Sequence, residues 1–211
     1  MIRKSRRNII LHTSLLLFII LLSNSILSVY YNCQQSAAQI INTPSENIAR
    51  KTSEFVTYKN PMYGFSIQYP ANWEKIDFGQ AIEEDDRHIV VTFLSPSENT
   101  LDRFREYLII QVGKIMFNRP LEHYVDKQII SLRHSLPNFE IVESNATAIV
   151  DNLAHTIVYT FKVGEDEYKV TEVWIIKDNK LYYVKYSTEL GSSGNYESMV
   201  REMIDSFRIT G

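Results

Sequence analysis

The amino-acid sequence predicts an α+β fold, in which an antiparallel β-sheet of about seven strands is flanked by helices. Three observations support this prediction: short runs rich in aromatic and β-branched residues, Asp, Asn and Gly residues at the spacing of tight turns, and two segments with helical periodicity. The composition is that of a folded domain, because 45% of the 211 residues are hydrophobic, whereas only 7 are Gly and 6 are Pro. The single cysteine, Cys33, excludes an internal disulfide.

The N-terminal segment has the pattern of a leader. A basic cluster at residues 3–7 precedes Ile9–Tyr31, a stretch of 23 residues without a charge. This arrangement is typical of an export signal or of an N-terminal membrane anchor. Cleavage after Ala38 would release the rest of the chain and retention would tether it, and the sequence leaves both open. In either case the positive-inside rule places the remainder outside the cytoplasm.

A change in composition separates this leader from the folded part. Gln34–Ser53 mixes polar and small residues without periodicity, which is typical of a flexible tether. The bulky residues just before Cys33 argue against a lipid anchor at that thiol. The predicted units are a signal peptide or membrane anchor at 1–33, a flexible linker at 34–54 and one α+β domain at 55–211.

The domain opens with a predicted β-hairpin. Phe55–Tyr58 and Tyr63–Tyr69 are aromatic-rich runs, joined by a segment whose Asn and Pro favour a turn. Pro70 cannot donate a ladder hydrogen bond, so the second strand is expected to end there. Trp73 is then expected to cap the core from a short turn.

Six further strands are predicted. They lie at His88–Leu94, Tyr107–Lys114, Glu140–Val150, Ala154–Val163, Tyr168–Ile176 and Leu181–Thr188. Asp151-Asn152, Gly164–Asp166 and Asp178-Asn179 are turn sequences between the last four strands. These four strands should therefore form an antiparallel meander.

Two amphipathic helices complete the predicted domain. The first begins after Asn118 and Pro120, continues with apolar residues at helical spacing, and ends at Pro137. The second is expected to begin near Asn195 and to run to Phe207, again with one apolar face. Each helix should pack that face against the sheet.

The charge distribution limits the partners that the domain can have. The whole chain has a net charge of −3, but the four basic residues of the leader precede every acidic residue, so the remainder has 18 basic against 25 acidic residues. A net charge of −7 is opposite to the basic surface that binds phosphates. We expect no nucleic-acid partner, a membrane contact only through the N-terminal segment, and a protein partner with a cationic surface.

The sequence lacks the common signatures of nucleophilic catalysis. Neither a Gly-x-Ser-x-Gly nor a Ser-x-x-Lys motif is present, and the only thiol lies in the leader. His155 alternates with Ile157 and Tyr159 along a predicted strand, so we expect a hydrogen-bonded histidine in the core or at a sheet edge. The chain is not expected to be an enzyme, and no catalytic residue is assigned.

One acidic run is the only candidate for a metal site. Glu83, Glu84, Asp85 and Asp86 are followed closely by His88, so several oxygen donors and one imidazole are near each other in sequence. Calcium is the ion that such donors would suit, but the run lacks the spaced Asp, Asn and Gly pattern of a calcium-binding loop. A solvated loop without a cofactor is the interpretation that we favour.

The aromatic residues near the C-terminus allow two interpretations. Tyr182 and Tyr186 share one face of a predicted strand, Tyr183 lies on the other, and Trp174 is in the preceding strand. Exposed aromatic rings in such an arrangement would bind sugars or bases, whereas buried rings would belong to a sheet covered by helices. We expect packing. Asn145–Thr147 forms the one glycosylation sequon of the chain.

The segment Tyr58–Trp73 resembles the opening signature of the PsbP-like family, the relatives of the extrinsic oxygen-evolving-complex subunit of photosystem II. It has the sequence Tyr-Lys-Asn-Pro-Met-Tyr-Gly-Phe-Ser-Ile-Gln-Tyr-Pro-Ala-Asn-Trp. The strand at Tyr182–Tyr186 and the segment Tyr196–Ile209 are similar to the closing strand and helix of that family. The resemblance implies an α-β-α sandwich and no catalysis. It also implies an accessory role on the outer or lumenal side of a membrane, in assembly or ion retention.

These observations together predict the class of function. We expect an exported, noncatalytic accessory or binding module that assists the assembly or stability of an extracytoplasmic or membrane complex. Two alternatives remain open: an exported domain that binds a small ligand or a carbohydrate, and an exported hydrolase. A hydrolase would need a nucleophile, a histidine and a carboxylate in one pocket, and a carbohydrate-binding domain would need exposed coplanar aromatic rings.

Overall fold

The computed structural model describes residues 54–79, 87–98, 100, 102, 104–115, 119–191 and 196–210. They belong to one compact unit, Thr52–Gly211. The predicted leader and nearly all of the predicted linker lie outside the described residues, so these boundaries stay predictions. Of the helices in the described part, none is long and apolar enough to cross a membrane.

A seven-stranded antiparallel sheet forms the centre of the domain. Its strands are β3 (Glu74–Asp77), β4 (Arg87–Leu94), β5 (Tyr107–Lys114), β6 (Glu140–Ile149), β7 (Asn152–Val163), β8 (Asp166–Lys177) and β9 (Lys180–Glu189). Their order across the sheet is β3-β4-β5-β9-β8-β7-β6. β6 to β9 are consecutive in the chain and pair antiparallel, which confirms the predicted meander.

A second, smaller sheet and two helices cover this sheet. The smaller sheet consists of β1 (Phe55–Asn60), β2 (Phe65–Pro70) and β10 (Arg208–Ile209), in the order β1-β2-β10. The helices are α1 (Leu121–Ser135) and α2 (Glu197–Asp205). The α+β prediction is confirmed, but the predicted hairpin β1-β2 forms a sheet of its own. Neither β3 nor β10 was predicted.

The two helices lie on opposite faces of the larger sheet, because alternate residues of one strand contact different helices. On β8, Val173 packs in the same core as Val200 and Met203 of α2. The neighbouring residue Trp174 packs with Val125 of α1. The domain is therefore an α-β-α sandwich with a separate hydrophobic core on each face, as the family resemblance implied.

The turns of the meander show how closely local chemistry determined the fold. Asp178 and Asn179 both have positive φ angles, 50° and 60°, as a two-residue hairpin turn requires, and both were predicted there. Between β6 and β7 the turn falls at Val150 and Asp151, one residue earlier than predicted, because Asn152 already pairs with Ile149. Val150 has a φ of 56°, which is unfavourable for a β-branched residue.

The segment after Pro70 differs from its prediction in one respect. β2 ends at Pro70 and Trp73 is buried, both as expected. The next residues, Glu74–Asp77, form the edge strand β3 through pairing with β4. The C-terminal end of α2 is held to β2, because Gln68 N donates a 2.8 Å hydrogen bond to Ser206 Oγ.

Candidate functional site

A groove of about 550 Å³ lies beside helix α2. We call it the α2 groove. Its floor is the face of β6 to β9 that points toward α2, and one wall is α2 itself. Its polar and charged lining residues are Glu143, Thr147, Thr156, Lys169, Thr171, Tyr186, Thr188, Glu197, Arg201 and Asp205.

The groove exists because the covering layer is narrower than the sheet. α2 has only nine residues, and it buries Val200 and Met203 against the core while its charged side stays outward. β6, at the edge of the sheet, is exposed on both faces along most of its length. The sheet therefore extends beyond α2 and leaves part of this face open.

Threonines from successive strands form the floor. The pairing register places Thr171 of β8 opposite Tyr186 of β9 on one side and opposite Val158 of β7 on the other. Thr147 Oγ1 and Thr156 Oγ1 are hydrogen-bonded at 3.1 Å. The floor thus offers both methyl groups and hydroxyls, a surface that contacts apolar side chains and still bonds to polar groups.

Charged side chains line the rim. Lys169 Nζ on β8 donates a hydrogen bond of 2.5 Å to Glu197 Oε1 in the first turn of α2, so an ion pair joins the two walls at one end of the groove. This hydrogen bond and the positive charge of Lys169 lower the pKa of Glu197. Arg201 and Asp205 follow at helical spacing on the same face of α2. The rim is therefore a mixture of both charges with one more carboxylate than cations.

The residues that line the groove do not favour catalysis. It contains neither histidine nor cysteine, and the buried hydroxyl of Tyr186 has a pKa raised by burial, so it remains protonated at neutral pH. A serine or threonine hydroxyl needs an adjacent base to act as a nucleophile. The arrangement suits binding.

A serine–histidine pair is present on the opposite face of the sheet. Ser144 Oγ on β6 and His155 Nε2 on β7 are hydrogen-bonded at 2.9 Å. His155 Nδ1 is shielded from solvent and has no hydrogen-bond partner among the described residues. The carboxylate that orients the histidine of a catalytic triad is therefore missing from this pair. His155 is a half-buried histidine on β7, next to the edge strand β6, and its hydrogen bond agrees with the prediction.

The candidate metal site falls largely outside the described residues. Residues 83–86, the acidic run, are not described, so only His88 can be placed. Its ring lies 5.3 Å from the ring of Tyr63, and both of its nitrogens are shielded without a hydrogen-bond partner in the described part of the chain. Among described residues, no three His, Cys, Asp or Glu side chains converge as metal ligands. The metal candidates Glu83, Glu84, Asp85, Asp86 and His88 stay a prediction.

The C-terminal aromatic residues are packed in the two cores. Trp174 and Tyr182 are each 1% exposed, and Tyr183 and Tyr186 are each 4% exposed. Trp174 and Tyr183 are in edge-to-face contact at 4.7 Å between ring centroids. The prediction of packing is confirmed, and these rings offer no exposed platform for sugars or bases.

Comparison with known proteins identifies the family. The sequence profile of the family described as PsbP-like protein matches residues 13–209, and the chain belongs to this family. No curated protein sequence matches the chain.

Three solved structures are similar in fold. The solution structure of cyanobacterial PsbP (CyanoP) from Synechocystis has 17% sequence identity and a TM-score of 0.53, over 79% of this chain and 98% of that chain. PA94, a protein of unknown function from Pseudomonas aeruginosa, has 14% identity and a TM-score of 0.51, over 72% and 94%. A mutant of the protein Mog1 has 7% identity and a TM-score of 0.50, over 74% and 96%. At these identities the likeness concerns the fold.

The α2 groove itself was not predicted from the sequence. Its floor residues alternate with apolar residues along each strand, as in any half-buried sheet. The one sequence signal was the threonine on each of the four strands at a position facing the same way, namely Thr147, Thr156, Thr171 and Thr188. That signal becomes meaningful only when the length of α2 relative to the sheet is known.

Proposed function

We propose that the chain is an exported, noncatalytic accessory protein, released or held at a membrane by its leader, which binds a protein partner through the α2 groove. The observation that carries the proposal is the groove, an open part of the sheet face with a mixed apolar and hydroxyl floor and a charged rim. Membership of the PsbP-like family supports an accessory role.

The chemistry of the groove favours a protein partner. Val142 and Ile204 in the lining provide apolar contacts, and the threonine hydroxyls of the floor accept and donate hydrogen bonds. The carboxylates of Glu143 and Asp205 attract cationic side chains at the rim. A segment that alternates apolar and basic residues matches this surface. Phosphate groups do not, because the rim carries more negative than positive charge.

A small ligand is the second candidate, and only the volume of the groove supports it. The groove, at about 550 Å³, lies in the range of small-molecule sites, roughly 300–1,000 Å³. Such sites enclose most of their ligand, whereas this groove borders the exposed strand β6. A protein segment that bridges from the groove to β6 therefore fits better.

Site-directed photocrosslinking tests the binding site. A photoreactive residue in place of Thr171 should capture the partner in cells, whereas the same residue in place of Val163, exposed at the far end of β7, should not. Thr171→Arg should fill the groove, so the partner should no longer co-purify with this variant. Ile130→Arg is the matched control, because it adds the same cation at an exposed apolar position of α1. Equal loss of the partner with both Arg variants would contradict the proposal.

Salt dependence tests the charge of the partner. Exposed charges attract each other over a Debye length that falls from about 10 Å at 0.1 M salt to about 3 Å at 1 M. Recovery of a cationic partner should therefore decrease at high salt. A partner that is recovered equally at both salt concentrations would bind through apolar contacts, and the charge argument would be wrong.

Protease treatment of intact cells tests export. A C-terminal tag should be digested together with known surface proteins, since the domain is proposed to lie outside the cytoplasm. A mature N-terminus at Gln39 would decide for cleavage over anchoring. A tag that stays protected while surface proteins are digested would contradict export.

A further inference from the structure

The edge of the larger sheet at β6 is a long and unprotected pairing surface. Among the described strands, β6 pairs only with β7, so the backbone groups that point away from β7 have no strand partner in this part of the chain. Eight of these ten residues are exposed, on both faces of the sheet. The described elements therefore leave most of this edge uncovered, and only Ile149 at its end is buried.

The second half of β6 lacks the usual features that prevent edge-to-edge pairing. Natural sheets protect their edges with lysine, proline, bulges or short strands. β6 has its bulge between Ile141 and Glu143, and its only charges are Glu140 and Glu143, all in the first half. Ser144–Ile149 is uncharged, contains no proline, and continues the ladder with β7 without interruption.

The register shows which backbone groups point outward. Ile149 and Asn152 flank the two-residue turn to β7, and such a closing pair is hydrogen-bonded. Hydrogen-bonded and non-hydrogen-bonded pairs alternate along an antiparallel ladder. The N–H and C=O groups of Ser144, Ala146 and Ala148 therefore point away from β7. All three side chains are small.

We infer that a second copy of this chain pairs with β6, antiparallel and about a twofold axis at Ala146. In this register Ala146 lies opposite its own copy and Ser144 lies opposite Ala148. The three outward residues of each strand thus form hydrogen-bonded pairs with the three of the other. The two seven-stranded sheets become one continuous sheet.

The charges and apolar side chains of β6 agree with this register. Glu143 lies opposite Ile149 of the other copy, so the two Glu143 carboxylates are six residues apart along the ladder, about 20 Å. That separation exceeds the screening length of about 8 Å at physiological salt. Val142 and Val150, which are 62% and 49% exposed in the single chain, come opposite each other at the two ends. The β6 edge of a second copy therefore fits this edge by apolar contacts and separated like charges, without any ion pair.

This pairing uses the outer backbone edge of β6, whereas the proposed partner lies over the face of the sheet that carries the α2 groove, so different substitutions test the two. Ala146 pairs with His155 and lies on the α1 face of the sheet, opposite the face that carries the α2 groove. A substitution at Ala146 therefore tests the dimer without changing the lining of the groove. Loss of partner capture by Thr171→Arg, described above, should occur equally in dimer and monomer.

Disulfide trapping tests the register. In a full-length chain with Cys33→Ser, Ala146→Cys should crosslink to its own copy under oxygen and copper phenanthroline, because hydrogen-bonded pairs have Cα atoms about 5.5 Å apart, within disulfide range. Ser144→Cys is the matched control. It should not crosslink, because the two copies of this residue are more than about 13 Å apart in the register. Crosslinking of Ser144→Cys as efficiently as Ala146→Cys would overturn the register.

Sedimentation of the purified full chain tests the dimer without crosslinking. Ala146→Pro removes an outward N–H and leaves the hydrogen bonds to β7 intact, and Ala146→Lys places a charge at the axis; each should weaken dimerisation by about tenfold or more. Ala146→Val, which keeps the backbone donor, should remain dimeric, and added salt should not dissociate it. Melting temperatures close to that of the unsubstituted chain would show that the variants are folded. A monomeric unsubstituted chain, or a dimer unaffected by Lys and Pro, would overturn the inference.

Discussion

The hydroxyl of Tyr159 on β7 donates a 2.7 Å hydrogen bond to Glu172 Oε1 on β8, and both residues are completely buried beneath helix α1. Trp174 Nε1 donates a second hydrogen bond, of 3.2 Å, to the other carboxylate oxygen. A buried carboxylate is costly unless its oxygens are hydrogen-bonded. The hydrogen bond between Tyr159 and Glu172 therefore joins β7 to β8 inside the core under α1, and it is lost if either side chain is removed.

Removal of this hydrogen bond should destabilise the domain. Tyr159→Phe leaves Glu172 Oε1 without its donor in the core, so the free energy of unfolding should fall by about 1–3 kcal/mol. Urea denaturation followed by circular dichroism measures the change. Tyr69→Phe is the control, since the Tyr69 ring is only partly buried and packs on Phe93 at 4.5 Å through its apolar atoms. Equal effects of both substitutions would contradict a specific role for the Tyr159 hydroxyl.

Stability should decrease in alkaline solution. Burial raises the pKa of Tyr58 from 10.0 to about 12, and burial followed by the charge of Glu172 raises the pKa of Tyr159. Burial likewise raises the pKa of Tyr182 and Tyr186. Above pH 10 these residues lose their protons in the unfolded chain and keep them in the folded chain, so unfolding becomes easier as the pH rises.

The size of the alkaline effect is measurable. Each fully shifted tyrosine contributes roughly 1.4 kcal/mol per pH unit above its unfolded pKa. The urea midpoint should therefore be nearly constant up to about pH 9 and fall steeply by about pH 11, and the phenolate absorbance of these four tyrosines should appear only on unfolding. A folded chain in which all 13 tyrosines give phenolate absorbance with the pH dependence of free tyrosine would show that these hydroxyls are accessible.

The turn between β6 and β7 should tolerate glycine better than valine. Val150 has a φ of 56°, a conformation that costs a β-branched residue of order 1–3 kcal/mol, whereas glycine adopts it readily. Val150→Gly should therefore raise the free energy of unfolding by about 0.5–1 kcal/mol after the entropic cost of glycine is subtracted. Val163→Gly, at a similarly exposed strand position, should instead lower it. The two melting temperatures provide the comparison.

The Ser144–His155 pair should be chemically inert. Since His155 Nδ1 has no carboxylate partner in the described structure, its imidazole is not held and polarised as in a catalytic triad. A fluorophosphonate probe should leave the intact mass of the protein unchanged. Labelling of Ser144 that disappears in His155→Ala would establish a reactive serine and refute the noncatalytic proposal.

The parts of the fold that depend on neighbouring residues could be predicted from the sequence. The turn at Asp178 and Asn179 follows from the tolerance of these residues for positive φ angles, and the apolar face of α1 follows from periodicity. β3 and β10 were missed because four and two residues carry little periodicity. They become strands through pairing with distant strands, β4 and β2.

The candidate binding site could not be predicted from the sequence, because it too depends on elements that are distant in the chain. The α2 groove results from a short helix over a wider sheet, a relation between elements that no local pattern encodes. Glu172 is another example, because alternation along β8 marks its position as core-facing but a glutamate argues for solvent. The burial of Glu172 becomes favourable only because Tyr159, 13 residues earlier in the chain, lies on the neighbouring strand and donates a hydrogen bond to it.

The smaller sheet has a consequence for the order of events during synthesis. β2 lies between β1 and β10, so the first and the last described strands pair with the same neighbour. Arg208 pairs with Ser66, and Ile209 pairs with Phe65. This sheet can be completed only after residue 209 has been made, and contacts that distant form late in folding. A nascent chain that has not reached residue 209 therefore lacks one of the three strands of this sheet.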